Sequence, residues 1–151
     1  MFKFWLFLHF TGLSIWLGSL LAIILILVMM KKHLGSKELS AIVKKITRIG
    51  NILVHPSAFF VLLSGVLMII SMNLNAKPFY LAFMERVGGI TVLITIIGVS
   101  LFGRKLVKKL TQLEVDGEVL KHTRSINNYI MMMLLSILLV LAVIFVVSFR
   151  F

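Results

Sequence analysis

Long apolar runs broken by short basic stretches set the rhythm of this chain. The first run extends from Phe4 to Met30 and is interrupted only by His9, Thr11 and small residues. The second covers Ile52–Met72. The third covers Val87–Phe102 and is lengthened upstream by Phe79–Phe83. The fourth covers Tyr129–Phe149. A bilayer-crossing helix needs about 20 predominantly apolar residues. The pattern therefore predicts four transmembrane helices, at about 4–30, 52–72, 80–103 and 127–149. The first run is longer than a signal-peptide core and no small-residue cleavage site follows it, so it is expected to be a helix of the mature protein.

Two further stretches have a helical period. Leu39, Ile42, Val43, Ile46 and Ile49 recur at helical spacing among lysines. They predict an amphipathic segment at about 37–50 that runs into helix two. Leu106, Val107, Leu110 and Leu113 predict that helix three continues through about 104–120. Both segments are expected to lie at the anionic inner leaflet.

Composition agrees with this pattern. The 151 residues are 60% hydrophobic, with a mean hydropathy of +1.10, more apolar than a soluble domain of this size could bury. The absence of cysteine excludes disulfides, thiolate metal sites and cysteine nucleophiles. A net charge of +11, from 16 Lys+Arg against 5 Asp+Glu, would suggest nucleic acid in a soluble protein. Here the cations gather at the ends of apolar runs, which points to anionic lipid and not to nucleic acid. Six lie between Lys31 and Arg48 and six between Arg104 and Arg124, leaving Lys3, Lys77, Arg86 and Arg150 for the other side. The positive-inside rule then puts both long loops in the cytoplasm and both termini outside. The expected fold is an all-α membrane protein, an antiparallel four-transmembrane-helix bundle forming a single domain. Its expected location is the cell membrane, as a multi-pass protein of the bacterial cytoplasmic membrane.

Small residues predict the packing faces, because membrane helices approach closely where side chains are small. On helix one these are Ser14, Gly18 and Ala22. On helix two they are Ser57, Ala58, Ser64 and Gly65. On helix three they are Gly88, Thr91, Thr95 and Gly98. Helix four carries mostly large aliphatics from Ile137 to Val147, so it is expected to face lipid, a membrane partner or a second copy.

Ionisable residues inside a membrane segment are functional-site candidates. His33 and His122 fall among lysines beyond the helix ends and read as solvated. His9 lies in the outer part of helix one, with Trp16 seven residues on and so on the same face. Its imidazole suits haem iron, copper or a proton relay; the competing role is a hydrogen bond across the bundle. His55 precedes Pro56 and reads either as the opening of helix two or, if the upstream segment is continuous, as part of a proline kink. Along the membrane normal the two histidines are roughly 20 Å apart, too far to clamp one haem within a protomer. Glu85 and Arg86 share the depth of His9, and His9 and Arg86 are expected to line one outer cavity floored by Trp16. Met68, Met72 and Met84 could add thioethers for copper. No phosphate loop, metalloprotease spacing or hydrolase triad is present, so no catalytic residue is assigned.

Leu8-His9, followed by Trp16 and Gly18, resembles the first-helix motif L-H-x6-W-x-G. That motif marks a group of small membrane proteins that includes the membrane domain of copper-resistance protein D, the HemJ-type protoporphyrinogen oxidases, and short four-helix proteins of unknown function. His55-Pro56 with Gly65 is similar to the group's second helix. The resemblance covers the whole chain in helix number and length, and the short members are nearest. It implies a b-type haem or redox-associated protein with His9 at the metal. Copper handling of the copper-resistance-D type is the first alternative, and a cofactor-free accessory subunit the second. In the HemJ-type enzymes a lysine early in helix three belongs to the site; Arg86 stands nearest to that position here.

Overall fold

A computed structural model describes residues 1–31, 37–72, 76–116 and 120–150, with side chains described over 1–31, 41–72, 76–111 and 123–150. His33 lies outside these residues, and His122 lies in a helix but outside the described side chains. Among the described residues the fold is all-α, with four helices: α1 (Phe2–Met30), α2 (Lys37–Ser71), α3 (Phe79–Asp116) and α4 (Leu120–Phe149). Each is long and apolar enough to cross a bilayer, which is compatible with an integral, multi-pass membrane protein. At 1.5 Å per residue the 35 residues of α2 and the 38 of α3 run about 52 and 57 Å, well beyond a hydrocarbon core of about 30 Å.

That excess length accounts for the two amphipathic segments. They are continuous with α2 and α3. They are turns of α2 and α3 that are covered in part by protein: Val43 of α2 and Leu106 and Leu110 of α3 are nearly inaccessible and, with Ile126 of α4, belong to the one buried core, whereas Ile42 and Ile49 are exposed. Part of the apolar stripe seen in the sequence meets other helices, and part of it, Ile42 and Ile49, stays exposed.

The packing order follows chain order. α1 packs most heavily on α2 and α3 on α4; α2 and α3 join the two pairs, and α1 touches α4 more lightly. Gly12 of α1 sits where a Cβ would come within 2.8 Å of Val61 Cγ2 and 3.2 Å of the Ser57 carbonyl oxygen. Only glycine allows so close an approach. On the other pair, Gly98 of α3 is filled by the Met132 side chain of α4.

Most of the expected packing positions of α2 and α3 are the observed ones: Ser57, Ala58, Ser64, Gly65, Thr91, Thr95 and Gly98 are buried, while Gly88 is half-buried with nothing within 4 Å of a Cβ built on it. Helix one is the correction. Ser14, Gly18 and Ala22 are exposed, and nothing lies within 4 Å of a Cβ built on Gly18. The buried line of α1 is Gly12, Trp16, Leu20, Ile23, Ile24 and Leu27. A four-residue spacing of small side chains marks a smooth face but does not say what it meets, and the larger Trp16 and Leu20 make more van der Waals contacts when packed against other helices. Helix four is not uniquely exposed either, since 28% of the spanning window is buried in both α1 and α4.

Candidate functional site

His9 is held by α2. Its Nδ1 lies 2.9 Å from the Val61 carbonyl oxygen and 3.1 Å from Ser64 Oγ. A carbonyl can only accept, so Nδ1 carries the proton and donates. The Ser64 hydroxyl itself donates to the Phe60 carbonyl at 2.6 Å, which leaves its oxygen free to accept a share of the His9 proton. With Nδ1 committed, Nε2 is a lone-pair acceptor with no partner among the described residues. The ring rests on Gly65, where a Cβ would stand 3.3 Å from His9 Cε1. Two of the small residues legible on α2, Ser64 and Gly65, thus serve to seat this imidazole.

Beside His9 is a cavity of about 250 Å³ to which all four helices contribute. His9, Leu13 and Trp16 come from α1, Gly65 and Met68 from α2, Glu85 and Gly88 from α3, and Val140 and Ile144 from α4. The walls are overwhelmingly apolar. Trp16 is 2% exposed, and its Nε1–H is buried without an acceptor among the described residues. Gly88 faces open space, with nothing within 4 Å of a Cβ built there.

Of the expected cavity residues, His9, Trp16 and Glu85 are brought together and Arg86 is not. Arg86 is exposed and takes no part in the lining. α1 and α3 are not facing neighbours, since α1 packs on α2 and, more lightly, α4. Arg86 directly follows Glu85, and a one-residue step turns a helical side chain by about 100°. Glu85 lines the cavity, but its ion partner is Lys77, with Nζ 2.8 Å from Oε2 and both side chains well exposed. That partner precedes α3 and has no helical spacing to reveal it.

His55 belongs elsewhere. Pro56 lies inside α2, not in its first turn, so the segment before it is continuous helix. His55 Nε2 lies 3.2 Å from the Ile96 carbonyl oxygen and 3.0 Å from Ser100 Oγ. It ties α2 to α3 and does not line the cavity. Met68 and Met84 do line it, whereas Met72 is exposed and does not. Among the described residues no group of three or more His, Asp or Glu could hold a metal ion. The α4 wall had no sequence signal, because its residues are ordinary aliphatics.

No family model, no curated protein and no solved structure matches this chain.

Proposed function

We propose that this chain is an integral protein of the bacterial cytoplasmic membrane, and that its cavity binds a b-type haem through His9 in a redox-associated, non-transporting role. The observation that carries the reading is the donation of Nδ1–H to the Val61 carbonyl. A ligating histidine typically spends its other ring N–H on a carbonyl or carboxylate, which sets the tautomer and orients the ring. His9 has that arrangement, with Nε2 left for iron and an apolar cavity beside it. The residues that would face a haem are His9, Gly65 and the apolar cavity wall. His9 would ligate it, Gly65 leaves room for the ring, and the Lys77–Glu85 pair places charge near the cavity residues contributed by α3. His55 lies outside the cavity and its Nε2 is engaged by Ile96 and Ser100, which favours a role in joining α2 to α3. Haem, when bound, supplies one-electron chemistry.

The topology belongs to the same proposal. Residue pairs that meet across neighbouring helices run in opposite senses: Gly12 with Val61 and Gly50 with Ile23, Gly98 with Met132 and Gly103 with Tyr129. These pairings support an antiparallel bundle. The basic inner segments support both termini outside, against an anionic inner leaflet.

Copper is the second reading, favoured by Met68 and Met84 lining the same cavity as His9, since thioethers and imidazole suit Cu(I). The broad apolar outer faces of α1 and α4 are what a cofactor-free accessory subunit would offer a membrane partner or a second copy. The spectrum of purified protein separates the three. A Soret band is expected; bound copper without haem selects the second reading, and neither selects the third.

A further inference from the structure

Arg86 stands outside the cavity, exposed, and has no ion-pair partner among the described residues. It opens an exposed stripe of α3. Ile90, Leu93, Ile97 and Leu101 follow it at steps of three and four residues, which keeps them on its face, and each is 49–57% exposed. The stripe then reaches Arg104, Lys105 and Lys108, all exposed and likewise without an ion-pair partner among the described residues. Lys105 lies over the Phe102 ring, 5.8 Å from its centroid. One apolar face thus carries cations at both ends. Arg86 and Arg104 are about five turns apart, about 27 Å along the axis, close to the hydrocarbon thickness of about 30 Å. Long cationic side chains at such positions reach outward to the headgroups.

We propose that this stripe is a lipid-recognition face that holds anionic phospholipids tail to tail, one with its phosphate at Arg104, Lys105 and Lys108, the other in the opposite leaflet with its phosphate at Arg86. The proposal rests on the reading of the chain as a bilayer-spanning protein, and adds to it a particular surface and the lipid charge that surface selects. It involves neither His9 nor the cavity. A zwitterionic headgroup brings its own cation to its phosphate, whereas an anionic one does not, so unpaired cations favour the anionic lipid. A second copy of the chain is the other occupant an apolar helix face could take, and the charges disfavour it. Copies in one bilayer share an orientation, so α3 would meet α3 in parallel and set the two groups of inner cations against each other. Among the described side chains the one acid is Glu85. It lies at the opposite end of the stripe and is paired with Lys77, so a partner copy brings no anion to the inner end.

The test reads lipid charge at the face itself, with the full chain in lipid nanodiscs. The chain has no cysteine, so Leu101→Cys, Ile90→Cys and Ile15→Cys can each carry a single bimane label. Leu101 is next to the inner cations and Ile90 next to Arg86. Ile15 is exposed on α1 with no lysine or arginine within two turns. The probes are brominated phosphatidylglycerol and brominated phosphatidylcholine, each at the same low fraction in unbrominated phosphatidylcholine; bromine quenches a label that its lipid touches. Quenching should favour the anionic lipid roughly fivefold at Ile90, the gain from one cation near a phosphate, and more at Leu101. The two lipids should quench equally at Ile15. Arg86→Gln should remove the preference at Ile90 and leave it at Leu101. Joint Arg104→Gln, Lys105→Gln and Lys108→Gln should do the reverse, and Arg86→Lys, which keeps the charge, should keep the preference. These side chains are exposed, so the substitutions leave the fold intact. Equal quenching by the two lipids at both α3 positions would overturn the proposal, as would a preference that survives the glutamine variants or is matched at Ile15. Disulfide cross-linking of two Leu101→Cys chains, with loss of quenching by either lipid, would overturn it in favour of a second copy. Absence of quenching at all three positions would reject the bilayer reading and this proposal together, whereas equal quenching rejects only this one.

Discussion

The imidazole of His9 rests against the backbone of Gly65, so that a methyl group there would come within 3.3 Å of Cε1 and 3.6 Å of Nδ1. Contact this close ties the orientation of the candidate ligand to the absence of one side chain on α2. Gly65→Ala asks the ring to give by a few tenths of an ångström. Gly65→Leu cannot be accommodated without moving it off Val61 and Ser64. The expected cost of Gly65→Leu is about 1–3 kcal/mol, typical of overpacking, with loss of any ligand held by His9. Thermal melting in detergent and ligand content report the two effects. Wild-type values for both in Gly65→Leu would mean that the ring does not sit on this glycine.

Two other glycines should part company. Gly12→Leu drives a side chain into Val61 and the Ser57 carbonyl, a backbone that cannot yield, and should sharply reduce yield and melting temperature. Gly18→Leu points into open surroundings and should behave as wild type. Equal damage from both would indicate that the Ser14–Gly18–Ala22 face is covered in the assembled protein. Equal tolerance would indicate that α1 and α2 are further apart than described.

The natural absence of cysteine makes topology direct to measure. Single cysteines at Lys44, Arg48 or Lys105 should resist a membrane-impermeant thiol reagent in intact cells and react in inverted vesicles. A cysteine at Lys77 should show the opposite pattern. Labelling of position 44 or 48 from outside intact cells would reverse the proposed orientation.

The two membrane histidines should give different phenotypes. His9→Ala is expected to remove bound haem while the helices still assemble. His55→Ala is expected to keep haem and to lower stability by about 1–3 kcal/mol, because Ser100 and the Ile96 carbonyl lose a buried partner. Absorbance at the Soret maximum and melting in detergent separate the roles. A Soret band unchanged in His9→Ala and lost in His55→Ala would move the site to the α2–α3 contact.

The order of apolar runs and basic breaks determined the helices by itself. Spans of about 20 apolar residues are long enough to cross a bilayer, and a bilayer forces backbone groups to pair within each segment. The sequence also singled out His9, Trp16 and the small residues of α2, because charge and close approach are expensive to place at random among hydrocarbon. Which face of α1 turns inward was a tertiary decision. Gly12–Trp16–Leu20 and Ser14–Gly18–Ala22 are both regular stripes, and only packing against Val61 and Ser57 selects the first. Tertiary structure likewise placed Glu85 on the cavity and left Arg86 outside it, since adjacent helical residues point about 100° apart and nothing in the sequence sets the rotation of α3. It also gave His9 its tautomer, because the carbonyl that takes its proton lies 52 positions away on another helix.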